Sequence, residues 1–105
     1  MRCVKIRDRD EILCLPKDEI EKIEMNPEIQ KVPGNHGSAC GISWYQGEIV
    51  VYYGETEGET NHCCGILWNR PDKGLVGVLA DEVLDETEAI FPEEELQKLS
   101  EHYNF

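Results

Sequence analysis

The chain has 105 residues, 40% of them apolar, and 22 acidic against 10 basic side chains give a formal charge of −12. That length suits one domain with a modest core, burying about two-thirds of its unfolded surface. The charge disfavours nucleic acid and anionic membranes and points to a basic or neutral protein patch as partner.

The first eleven residues hold charges but no apolar stretch of about 7–15 residues behind them, so no signal peptide is expected. No run approaches the ~18 apolar residues that span a membrane. A cytoplasmic protein is the expectation. Five cysteines, an odd number, do not suit a closed disulfide framework and read as thiols.

Residues 3–7 alternate, with Val4 and Ile6 on one side and Cys3, Lys5 and Arg7 on the other, the pattern of a half-buried strand. Residues 8–10 form a charged turn. Residues 11–15 make a second strand, ended by Pro16, so the two pair as a hairpin. In residues 17–23, Ile20 and Ile23 stand three apart, one short helical stripe that suits a single turn running into a strand. Asn26-Pro27 and Pro33-Gly34 punctuate the chain, and residues 35–38 are loop.

Residues 39–45 and 48–53 are apolar runs about Gln46-Gly47, a turn pair that suits a tight hairpin. Residues 54–61 are a polar loop. Residues 63–68 and 75–84 pair next, across turn chemistry at Pro71, Asp72 and Gly74. Residues 75–80 are apolar on both faces, which predicts a central, buried strand. Residues 86–91 extend the sheet.

Residues 92–103 are the predicted helix. Pro92 suits the first helical position. Glu93, Glu94 and Glu95 sit where the helix dipole favours negative charge. Leu96, Leu99 and Tyr103 share a face, and Glu94 and Lys98 are a pair four apart. The helix is expected to lie on the sheet as a lid. Many short strands with regular turns argue for a small barrel, in one domain over residues 1–105 with an acidic helical end at 91–105. Residues 81–105 carry nine acids against Lys98 alone, which reads as a solvated face or as a docking face for a basic partner.

Catalytic signatures are absent: no GxSxG, no P-loop, no GxGxxG after a strand. Ser38 lies two residues from His36 and from Cys40, but nearness in a loop does not supply an oriented nucleophile and base. A zinc or thiol site is conceivable from His36, Cys40, His62 and Cys63, with Cys64 as a further thiol. No CxxC knuckle supports it. The competing reading makes Cys3, Cys14, Cys40 and one of Cys63 or Cys64 small core residues. Asp81 and Glu82 would face opposite sides of a strand and so cannot act as a pair. Trp44, Tyr45, Tyr52, Tyr53 and Trp68 read as core packing or, where exposed, as a binding patch.

Four phrases stand in order: LPKDEIEKI (15–23), PEIQKVPG (27–34), GISWYQGEIVV (41–51) and GLVGVLADEVL (74–84). Together they resemble the CheW family of chemotaxis coupling modules over about residues 3–90. The resemblance implies a mainly β fold of small SH3-like barrels, here with a short C-terminal α-helix. It implies a non-catalytic signalling adaptor, without a cofactor, that bridges chemoreceptor tips and the regulatory domain of a CheA-type histidine kinase. The family's tip Arg, associated with partner contact, is Gln46 here, and its following Pro and Asp are Val51 and Tyr53. Binding as the family binds would use Gly41, Gln46, Gly47 and Glu48 at the tip, with Ile20 and Glu24 on the adjoining face. Family members continue for several strands beyond the DEV strand. In this chain either the acidic helix caps an open barrel edge, or a second copy supplies strands as a homodimer. The alternative function is a stand-alone interaction module using the acidic C-terminal face.

Overall fold

The computed structural model describes residues 2–31, 39–54, 64–71, 73–88 and 93–103. In chain order they form β1 (Arg2–Asp8), β2 (Glu11–Pro16), a 3₁₀ turn (Lys17–Glu19), β3 (Ile20–Met25), β4 (Gln30–Lys31), β5 (Ala39–Tyr45), β6 (Glu48–Tyr53), β7 (Cys64–Arg70), β8 (Gly74–Ala80), β9 (Glu82–Glu88) and α1 (Glu93–Tyr103). Three strands make one sheet in the order β2-β1-β9. Six make the other, in the order β3-β7-β8-β6-β5-β4. The fold is mainly β with one short helix, as the sequence predicts.

The predicted hairpins follow from local chemistry. β1 and β2 pair antiparallel about Arg9 and Asp10, with Asp8 opposite Glu11. β5 and β6 pair about Gln46 and Gly47, with Tyr45 opposite Glu48. Both turn residues of that second hairpin have positive φ, 51° and 82°. This is the backbone that matches the twist of a two-residue hairpin. Residues 17–19 form a single 3₁₀ turn that runs into β3, as expected, but Ile20 and Ile23, whose spacing suggested a helical stripe, both lie on the strand.

Residues 75–84 are not one strand. The chain breaks at Asp81, and β9 leaves the larger sheet to pair with β1, Arg2 standing opposite Glu88. Tertiary hydrogen bonds impose the break. The Asp81 amide donates to the Arg7 carbonyl at 2.8 Å, and its Oδ2 accepts from the Arg9 amide at 2.8 Å and from Arg7 Nη1 at 3.1 Å. Because residue 81 lies outside a regular strand, Asp81 and Glu82 do not diverge. Both carboxylates reach Arg7, Glu82 Oε1 at 3.0 Å. Of residues 86–91, the first three end β9, beside β1, and the others lie outside the described residues.

β7 and β8 are apolar on both faces because each face lines a separate core. Ile66, Trp68, Val78 and Ala80 point to the three-stranded sheet, against Val4, Ile6, Leu13 and Leu15. Leu67 and Leu79 point the other way, into the curl of the larger sheet, against Cys40, Val50 and Tyr52. Helix α1 covers the first core with Leu99 and Tyr103, both fully buried. Tyr103 Oη donates to the Leu79 carbonyl at 2.6 Å, and burial pushes that hydroxyl's pKa far up. Lys98 Nζ reaches the Ile12 carbonyl at 3.3 Å and faces Glu95 at 3.9 Å, not the Glu94 partner that spacing suggests. Leu96 remains exposed. His102 Nε2 sits 2.7 Å from Oδ2 of Asp8, the one buried charged residue among those described. The lid is therefore tied to the N-terminal hairpin by polar bonds as well as by apolar packing. Pro92 lies outside the described residues.

Cys3, Cys40 and Cys64 are buried, as the core reading requires, and Cys14 is half-buried. No described helix is long and apolar enough to cross a membrane.

Candidate functional site

The β5–β6 hairpin tip projects Gln46, Gly47 and Glu48 into solvent. Gln46 is not free to swing, since its Nε2 donates to Tyr45 Oη at 3.3 Å. Tyr45 Oη in turn donates to Glu21 Oε2 on β3 at 3.1 Å. Desolvation first, then that carboxylate, raises the Tyr45 pKa. The tip is thereby fixed to β3, on the far side of the larger sheet's strand order, the strand that also carries Ile20 and Glu24.

The other candidates divide. Glu24 on β3 is partly exposed, 3.8 Å from Lys22, and lines a groove. Ile20 stands opposite Trp68 and packs against the first core, which makes it chiefly a structural residue. Gly41 is buried under β4: an added Cβ would stand 2.5 Å from Ile29 Cγ2 and 2.6 Å from the Gln30 carbonyl oxygen. It is a glycine because two backbones meet there, and it offers a partner nothing to touch.

The aromatic set also divides. Trp68 and Tyr52 are core residues, each 1% exposed, and Trp68 Nε1 donates to Glu19 Oε1 at 3.1 Å. Trp44 is 65% exposed and stands opposite Ile49, itself 55% exposed, across the hairpin. Met25, 70% exposed, and Ile23 project from β3. An exposed Trp is a residue type enriched in interface hot spots. Sequence reasoning left Trp44 undecided. The register of the hairpin decides it, because Ser43 and Tyr45 share the inward side with Val50 and Tyr52, leaving Trp44 outward.

Between the two edges of the larger sheet runs a groove of about 560 Å³, lined by Glu24, Asn26, Glu28, Ile29, Gln30, Ile42, Ser43 and Trp44. It borders the second core at Ile29. In that core the Tyr52 hydroxyl is pushed up to about 12 by burial and then by the charge of Glu24.

The chemistry candidates find no assembly among the described residues. No group of three or more His, Cys, Asp or Glu there could hold a metal ion. Cys40 Sγ donates to the Tyr52 carbonyl at 3.4 Å within the core. His36, Ser38, His62 and Cys63 lie outside the described residues. The acidic C-terminal face is partly neutralised within the chain. Asp81 and Glu82 pair with Arg7, Glu86 with Arg2 and Lys17, and Glu95 with Lys98.

No family model matches the sequence, and no curated protein sequence does either. Among solved structures the chain is similar to the scaffolding protein TtCheW from Thermoanaerobacter tengcongensis, with a TM-score of 0.69 at 16% identity over 82% of this chain. The chain spans 63% of that protein's length. At that identity the likeness is one of fold: two sheets, mainly β, with one C-terminal helix, a CheW-like fold.

Proposed function

We propose that the protein is a non-catalytic signalling adaptor of CheW type, docking the regulatory domain of a CheA-like histidine kinase, a chemoreceptor tip, or both, in the cytoplasm. The observation that supports it most is the likeness of this fold to a solved scaffolding protein. The hairpin adds a presented surface: Gln46 and Glu48 at the tip, with Trp44 and Ile49 exposed just behind them. Of the residues that the sequence resemblance implies, Gln46, Gly47, Glu48 and Glu24 are the proposed contacts. Ile20 and Gly41 act by holding that surface in place.

The test is a calorimetric titration of this protein into the regulatory domain of a CheA-type kinase from the same organism. Saturable micromolar binding is expected. No heat, from a protein shown folded by circular dichroism, refutes kinase docking and leaves the fold standing. Gln46→Arg restores the cation that the family pattern carries at this turn. It should strengthen chemoreceptor binding, and an unchanged titration counts against the tip as the contact.

The stand-alone module that docks through its acidic C-terminal face is the second reading. Asp85, Glu88, Glu93 and Glu94 are exposed along β9 and α1. The internal pairing of Asp81, Glu82, Glu86 and Glu95 weakens that face as a docking surface, so we rank the hairpin above it.

A further inference from the structure

The larger sheet curls until its edges approach, but among the described residues it does not close by strand pairing. Among the described residues β4 pairs with Gly41 and Ile42, and residues 27–29 before it form no strand, so residues 43–45 of β5 run on beyond it. On the far side, β3 pairs with β7, and no described strand lies against its outer edge. Both edges carry backbone donors and acceptors that an added strand can use. The groove between them has one end at the Tyr45–Glu21 hydrogen bond and the other at the segment that links β3 to β4.

The lining is apolar and acidic together. Ile29, Ile42 and Trp44 supply the apolar surface; Glu24 and Glu28 supply charge, with Glu21 at one end. Lys22, which approaches Glu24 at 3.8 Å, is the nearest described cation paired with a lining carboxylate. We infer that this seam takes an extended, lysine- or arginine-bearing segment of another protein as an added strand, its apolar side chains against Ile42 and Trp44 and its cations against Glu24 and Glu28.

Three arguments fix the occupant. The edges offer main-chain hydrogen bonds, which an extended segment can use and a helix, satisfied internally, cannot. Past the Tyr45–Glu21 bond, residues 22–25 of β3 at about 3.3 Å per residue give an edge of about 13 Å, so about four residues fill it. A second copy of this chain, at −12, would bring acid against an acidic groove, whereas a basic segment removes that repulsion. The inference does not depend on the adaptor reading: a protein that ignores the kinase domain yet binds a basic strand loses one and keeps the other.

The probe is a blocked hexapeptide of alternating valine and lysine, titrated into the whole protein and followed by amide chemical shifts and tryptophan fluorescence. Two peptides control for charge and for pairing: one with glutamate for lysine, and one keeping lysine but N-methylated along one edge. Saturable binding is expected, with shifts centred on residues 22–25 and 43–45 and a blue shift from Trp44, since Trp68 is already buried. The N-methylated and glutamate peptides should bind at least tenfold more weakly. Glu24→Gln with Glu28→Gln should weaken the lysine peptide by about three- to tenfold, as for two partly exposed charge pairs. Equal binding of the N-methylated peptide, shifts confined to α1 and β9, self-association of the protein through this seam, or no binding by about 1 mM peptide each overturns the inference.

Discussion

Tyr52 makes a steric prediction that can be worked through. Its ring lies flat on β8 where Gly77 leaves the backbone bare, and its hydroxyl lies over Gly65 of β7. A Cβ added at Gly77 would stand 2.6 Å from Tyr52 Cδ1 and 2.7 Å from Cε1 and Cγ. Carbon atoms settle at about 3.5–4.0 Å, so the ring would have to retreat by about 1 Å. Retreat is blocked, because Tyr52 is fully buried against Leu67, Leu79 and Val50. Overpacking of this kind costs about 1–3 kcal/mol. The lower backbone entropy of alanine in the unfolded chain returns about 0.5 kcal/mol, so the clash wins. Gly77→Ala should therefore lose about 0.5–2.5 kcal/mol, read as a lower urea midpoint with unchanged slope by far-ultraviolet circular dichroism. Tyr52→Leu removes the obstacle, and in that background Gly77→Ala should cost nothing further, a coupling of at least about 1 kcal/mol. Gly47→Ala is the control for backbone strain. It meets nothing within 4 Å but sits at φ +82°, so about 1 kcal/mol is expected there regardless of Tyr52. An equal Gly77→Ala loss in both backgrounds would refute the steric account.

Three further outcomes can be checked on the isolated protein. Tyr103→Phe leaves the Leu79 carbonyl without its 2.6 Å donor and should cost about 1–3 kcal/mol in the same urea assay. Tyr52 and Tyr103 both have folded pKa values raised from 10.0, so the unfolded state loses its phenolic protons first. Their contribution is whole below pH 10 and declines as pH rises through the Tyr52 value of about 12, so thermal midpoints should fall over that range. Absorbance at the phenolate band should show both tyrosines titrating only as the protein unfolds. Trp44→Ala, at a site 65% exposed, should change stability by less than about 0.5 kcal/mol. If the hairpin is the docking surface, the same variant should weaken kinase-domain binding by about tenfold or more.

The hairpins, the helix and the two-faced character of residues 75–80 were legible because each rests on local periodicity or on a turn pair such as Gln46-Gly47. What was not legible is tertiary. Residues 75–84 look like one strand until Arg7 and Arg9 capture Asp81, and those bonds cross more than seventy positions. The parallel contact of Tyr52 with Gly77 has no local signature beyond a glycine in an apolar run. Among the site residues, the tip was readable as a turn. Gly41 carried the same residue type as a binding glycine but is explained by Ile29 and Gln30 above it. Trp44 and Trp68 are both aromatics within apolar strands, and only strand register separates a surface anchor from a core residue.

The placement of β7 and β8 between the two cores bears on how the molecule comes apart. The three-stranded sheet with its helix owns no complete interior, since it packs on Ile66, Trp68 and Val78 of the larger sheet, while Leu67 and Leu79 of the same two strands fill the larger sheet's own core. Peeling away either side would strand one apolar face of that pair in water. The two halves should therefore melt in one cooperative step, and the amides of β7 and β8 should exchange with solvent only through global unfolding. A partner that engages the hairpin or the seam is then gripping a unit that yields all at once or not at all.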